Sequence, residues 1–89
     1  MTNWKHQLKL GDVFHNDDMT FDARRDAIVA RIRATGWYKR TVAGEDGYEL
    51  TDIVDDLADT KGADTFDEIW SNFYDWCDEN RVWVETVAS

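Results

Sequence analysis

The sequence predicts a small α+β domain, with three helices packed on one face of a small antiparallel sheet formed by the N- and C-terminal strands. Three observations support this fold class. The first segment alternates apolar and polar residues, three internal segments carry helical periodicity or helix-start signals, and the last segment is rich in β-branched and aromatic residues. At 89 residues the chain is predicted to be one domain, residues 1–89. Because so small a domain buries a modest share of its surface, its five Trp, four Phe and three Tyr are expected to form a dense core.

The two strands are predicted at the ends of the chain. Residues Trp4–Leu10 place Trp, His and Leu on one side and Lys or Gln on the other, which is typical of a half-buried edge strand. Residues Arg81–Val87 combine Val, Thr and Trp. A lone strand is not stable, so the two segments are expected to pair with each other. Trp37–Val42 is a candidate third strand whose place in the strand order is left open.

The first helix is predicted from Phe21 to Thr35, with Thr20 as its N-cap and Gly36 as its stop. Large apolar residues line one face. Small residues line roughly the opposite face, where a partner could approach closely; they are Ala23, Ala27, Ala30 and Ala34. Helix propensity alone explains four alanines equally well, so both interpretations stay open.

The second helix, from about Tyr48 to Thr60, has the clearest pattern. Its apolar residues recur at helical spacing. Its opposite side is acidic and carries Asp52, Asp55, Asp56 and Asp59. Like charges four residues apart each cost an isolated helix roughly 0.2–0.5 kcal/mol. Either solvent screens this repulsion, or a basic partner or the basic first helix of the same chain faces it.

The third helix is predicted to start at Thr65, which forms a capping box with Glu68, and to close at Asn80 in a left-handed conformation. Its core stripe comprises Phe66, Ile69, Trp70, Phe73 and Cys77, with Tyr74 and Trp76 on the flanks. The single Cys cannot form an internal disulfide, so the sequence predicts that it fills the core.

Charge divides the chain into two unlike parts. Residues 1–43 carry eight Lys or Arg against five Asp, whereas residues 44–80 carry thirteen acids against Lys61 alone. The formal net charge is −9. An acidic protein repels phosphates, so direct binding of nucleic acid is not expected. No apolar run approaches the roughly 18 residues of a membrane span, and we expect a cytoplasmic protein.

No catalytic, metal or cofactor motif is recognisable. The sequence has no glycine-rich phosphate loop, no His-Glu-x-x-His helix, no Cys pair and no nucleophile elbow. Asn16, Asp17 and Asp18 lack the alternating ligands and terminal Glu of a calcium loop, and neither His6 nor His15 has ligand partners at a suitable spacing. The sequence therefore predicts a protein that is not an enzyme and needs no cofactor.

Two segments, Lys9–Arg33 (KLGDVFHNDDMTFDARRDAIVARIR) and Asp64–Thr86 (DTFDEIWSNFYDWCDENRVWVET), resemble small acidic proteins encoded by phages of actinobacteria. The resemblance implies a phage accessory protein that acts in the bacterial host cytoplasm by binding a host factor. It carries no catalytic motif, so it implies no catalytic residue.

Two functional hypotheses follow. The first is a non-enzymatic protein that binds a host protein or forms a homo-oligomer, through its acidic helix or its alanine residues. The alternative is a DNA mimic, whose carboxylates imitate phosphates and inhibit a host nucleic-acid-binding protein. Phosphates along one strand lie roughly 7 Å apart, near the spacing of carboxylate tips on one helix face. An ordinary solvated acidic surface explains the same residues.

Overall fold

A computed structural model of the chain describes residues 3–44 and 47–87, which form four helices and two strands. In chain order the elements are β1 (His6–Lys9), α1 (Phe21–Ala34), α2 (Gly36–Ala43), α3 (Gly47–Asp59), α4 (Ala63–Glu79) and β2 (Val82–Glu85). All six contribute to one buried apolar cluster. The fold is therefore α+β, but its details correct the sequence-based prediction in two ways.

The first correction concerns the sheet. The terminal strands do pair, but they run parallel, with His6 opposite Val82 and Lys9 opposite Glu85. The antiparallel prediction is wrong because side-chain alternation fixes which face of a strand is buried and carries no information on its direction. Parallel strands need a crossover connection of a dozen or more residues, and the helical segment between β1 and β2 supplies it.

The second correction concerns Trp37–Val42, which lies in a fourth helix, α2, and not in a strand. Thr35 separates α1 from α2, and its hydroxyl accepts a hydrogen bond from the Tyr38 N–H at 3.2 Å. Within α2 the Thr41 hydroxyl donates to the Trp37 carbonyl at 2.7 Å. β-branched and aromatic composition is a weak signal that packing overrides. Gly36, predicted to stop α1, is instead the first residue of α2.

The third predicted helix begins and ends differently from expectation. α4 begins at Ala63, before Thr65, because the Phe66 N–H already donates to the Gly62 carbonyl at 2.9 Å. The N-cap is Gly62, with φ 135° and no side-chain cap, so the Thr65 capping box does not mark the start. At the other end Asn80 is not left-handed; that conformation falls on Arg81, with φ 61°.

Other local predictions are confirmed. The Thr20 hydroxyl caps α1 by accepting from the Ala23 N–H at 3.1 Å. The apolar sides of α3 and α4 are buried, and Cys77 lies in the core, where burial raises the pKa of its thiol to about 12. The most enclosed large side chains are Phe73, Leu10, Ile28, Ile32, Leu50, Leu57 and Val54.

Candidate interaction surfaces

The acidic side of α3 faces solvent. Asp52, Asp55, Asp56 and Asp59 are all exposed, while Leu50, Val54 and Leu57 on the other side of the helix are completely buried. Asp55 forms an ion pair with Arg33 of α1, with 2.9 Å between Arg33 Nη2 and Asp55 Oδ1. The basic first helix therefore neutralises one of the four carboxylates. In the described part of the chain no ion pair involves the other three.

Acidic residues continue onto α4, which packs against α3. The exposed acids of the two helices are Glu49, Asp52, Asp55, Asp56, Asp59, Asp64, Asp67, Glu68, Asp75, Asp78 and Glu79. Glu49, Asp75 and Glu79 line one cleft of about 320 Å³ between the helices. Among residues 3–44 and 47–87, no group of three or more His, Cys, Asp or Glu could hold a metal ion.

The basic residues of α1 are largely occupied by partners within the chain. Arg25 bonds to Asp22 at 3.2 Å and to Asp26 at 3.0 Å, and it also donates to the carbonyl of Thr60, the residue that follows α3. Arg31 pairs with Asp12, and this guanidinium lowers the pKa of Asp12 below its ordinary value. The positive charge that the sequence places in residues 1–43 is therefore not one open basic face on α1.

The four alanines of α1 do not form a single exposed face. Ala23, Ala30 and Ala34 are exposed, whereas Ala27 is half-buried and packs against the core. Three exposed methyl groups present little apolar area to a partner.

A different site, which the sequence did not predict, lies where the two strands begin. Because the strands are parallel, their N-terminal ends lie side by side, next to α2 and the end of α4. They enclose a cleft of about 480 Å³. Its lining residues are Lys5, His6, Trp37, Arg40, Thr41, Gly44, Trp76, Asn80 and Val82. We call it the basic-aromatic cleft.

The rings of this cleft are nearly parallel. The centroids of His6 and Trp37 are 5.6 Å apart at an interplanar angle of 20°, and those of Trp37 and Trp76 are 6.4 Å apart at 18°. The Trp37 side chain is buried, and its indole Nε1–H has no hydrogen-bond acceptor among the described atoms. Partial burial lowers the pKa of His6 below its ordinary value, and the positive charges of Arg40 and Lys5 lower it further. His6 is therefore predominantly neutral at pH 7.

An aromatic patch adjoins this cleft on the outer face of the sheet. Trp4 and Trp83 are 40% and 42% exposed and meet edge to face, with ring centroids 5.2 Å apart. With Lys5, His6 and Gln7 they line a second depression of about 500 Å³. Lys5 and His6 belong to both depressions, so the patch and the basic-aromatic cleft form one continuous surface.

Part of this cleft could have been predicted from helical periodicity in the sequence. Trp37, Arg40 and Thr41 are related by three and four residues, which places them on one face of a helix but on both faces of a strand. Interpreting the segment as a strand concealed this relation. The approach of Lys5 and Trp76 depends on tertiary structure, and no local pattern in the sequence indicates it.

Comparisons with protein-family models, with curated proteins and with solved structures find no match to this chain. No helix within the described residues has the length and the apolar character needed to cross a membrane.

Proposed function

We propose that this chain is a non-enzymatic phage accessory protein that acts in the host cytoplasm by binding a host protein through the acidic side of α3. One observation carries the proposal: these carboxylates are exposed on one side of a helix and, Asp55 excepted, have no ion-pair partner in the described ranges. A basic surface on a partner would relieve their mutual repulsion and would speed association. The resemblance to small acidic phage proteins supports the same proposal.

The test is a pull-down from lysate of an actinobacterial host, with the partner identified by mass spectrometry. The informative variant is Asp52→Lys/Asp56→Lys, because these two residues lie on one face of α3 and form no ion pair in the described structure. The matched control is Asp17→Lys/Asp18→Lys, which reverses two exposed charges in the loop before α1. Loss of a partner with the first variant and its retention with the control support the proposal. Equal retention with both variants refutes the role of α3.

Self-association is the second form of this proposal, in which the acidic side of one copy contacts the basic-aromatic cleft of another. Charge complementarity supports it, but a net charge of −9 opposes it at long range. Sedimentation velocity at low salt distinguishes the two forms. A concentration-dependent increase in mass that the Asp52→Lys/Asp56→Lys variant abolishes supports self-association, and a monomer at high concentration excludes it.

DNA mimicry is a second candidate function, and the continuity of exposed carboxylates from α3 onto α4 favours it. A mimic has to compete with DNA for one site, and its affinity has to fall steeply as salt is added. Both properties can be measured once a partner is isolated, by fluorescence anisotropy with a labelled duplex. A partner that binds DNA and this protein together, or whose affinity is unchanged from low to moderate salt, rules mimicry out.

A further inference from the structure

We propose that the basic-aromatic cleft binds a small aromatic anion, a molecule that carries a flat ring and a negatively charged group. This site is separate from the acidic side of α3 and does not depend on the binding of a host protein proposed above; it competes with the self-association form, in which the same cleft receives the acidic side of a second copy. Three features of the cleft support it: its cations, its rings and its unpaired hydrogen-bond donor.

The cations at the cleft lack the ion-pair partners that Arg25, Arg31 and Arg33 of α1 have. Lys5 and Arg40 are exposed, and neither takes part in an ion pair in the described part of the chain. None of the described residues that line the cleft is an Asp or Glu, so the two cations have no acid beside them there. An anion in the cleft would give both cations a partner through charge-assisted hydrogen bonds, the stronger class in proteins.

The aromatic side chains of the cleft favour a ligand with a flat ring. Trp37 and Trp76 are 6% and 9% exposed and form the apolar wall, whereas His6 is half-buried. His6 is therefore the accessible end of the series of near-parallel rings, on which a ligand ring can stack. Because Lys5 and Arg40 line the same cleft, a charged group attached to that ring can reach a cation.

The unpaired donor is the indole N–H of Trp37: the Trp37 side chain lines the cleft, and its Nε1–H is buried with no acceptor among the described atoms. Buried polar groups in proteins are nearly always hydrogen-bonded, and an exception needs an explanation. Because this N–H is buried, an acceptor oxygen of a bound anion reaches it only after the Trp37 ring has turned towards the cleft. The cleft volume of about 480 Å³ also lies within the range of roughly 300–1,000 Å³ that is usual for small-molecule sites.

The experiment follows the five tryptophan indole N–H signals of the ¹⁵N-labelled protein by NMR, assigned with single Trp→Phe variants. Three probes are titrated separately: adenosine monophosphate, indole-3-acetate and inorganic phosphate. We expect the Trp37 signal to shift with the two ring-bearing anions. The Trp70 signal is the internal control, because that ring packs against Phe14 and Phe66 and not in this cleft. Binding of the nucleotide alone identifies a nucleotide site, and binding of both ring-bearing anions identifies a general site for aromatic anions.

Arg40→Gln is the test variant, and Lys39→Gln is its matched control, since Lys39 is the neighbouring exposed cation and does not line the cleft. Removing one charged hydrogen bond is expected to weaken binding about tenfold or more, and the control is expected to leave affinity within about twofold. Circular dichroism checks that both variants are folded. The proposal fails if Trp37 does not shift with either ring-bearing anion, if phosphate alone binds as tightly as they do, or if the two variants weaken binding equally.

Discussion

Replacing Phe73 by alanine is expected to remove about 3–5 kcal/mol from the free energy of unfolding. Phe73 lies in the middle of α4, is completely enclosed, and packs against Trp70 with ring centroids 5.3 Å apart. The loss combines the transfer free energy of the ring with the cost of the cavity left behind. A domain of 89 residues has a total stability of roughly 4–13 kcal/mol, so this one substitution removes a large share of it.

The control for Phe73→Ala is Tyr74→Ala, one residue further along the same helix. Tyr74 is 47% exposed, so its removal leaves no enclosed cavity and is expected to cost about 1 kcal/mol or less. Urea unfolding followed by far-ultraviolet circular dichroism measures both, with unchanged slopes expected. If Phe73→Ala does not fold, Phe73→Leu still has to be less stable than Tyr74→Ala. Equal losses at the two positions would show that α4 does not turn Phe73 into the core and Tyr74 towards solvent.

Three further predictions concern single side chains. The Cys77 thiol is buried and its pKa is raised to about 12. It should therefore react with a disulfide reagent at pH 8 only as fast as the chain unfolds, and rapid reaction of the native protein would contradict its burial. Burial, together with two neighbouring cations, lowers the pKa of His6 from 6.5. The neutral form of His6 therefore stabilises the fold above pH 6.5, and this stabilisation is lost as the pH falls through the lowered pKa. The urea midpoint should therefore decrease from pH 7 to pH 5 more in the wild type than in His6→Gln, and equal decreases would argue against this environment. Asp55→Lys breaks the ion pair with Arg33, whereas Asp56→Lys relieves repulsion between carboxylates. The Asp55→Lys variant should therefore be the less stable of the two, by at most about 1 kcal/mol, in urea unfolding at low salt. The reverse order would show that the Arg33–Asp55 pair does not form in solution.

Local patterns predicted several elements correctly because their causes are local. The cap at Thr20 needs only a hydroxyl three residues before an amide, and the buried side of α3 needs only apolar residues at helical spacing. The exposed side of α3 follows from the same periodicity. Capping motifs were less decisive in α4, where the helix begins at Ala63 and Thr65 lies inside its first turn.

For the candidate sites, the sequence predicted which side of a helix a residue occupies but not its contacts with other elements. Asp52, Asp56 and Asp59 could be placed on a solvent-facing helix surface from their spacing, but the pairing of Asp55 with Arg33 depends on how α1 packs against α3. The alanine residues were expected on one face, yet the packing of α1 buries part of Ala27. The burial of a residue such as Ala27, at the edge of the buried side of a helix, depends on how the neighbouring helices pack.

By itself, the sequence determined which residues are apolar on each of α1, α3 and α4, that a strand lies near each end of the chain, and that negative charge gathers in the second half. Tertiary structure alone decided that the strands are parallel, that Trp37–Val42 is helical, and that a basic-aromatic cleft exists. Periodicity and capping act over a few residues, so they can be recognised along the chain. Strand direction and the meeting of Lys5, Arg40 and Trp76 depend instead on how distant elements pack, since each of these residues alone is compatible with many arrangements.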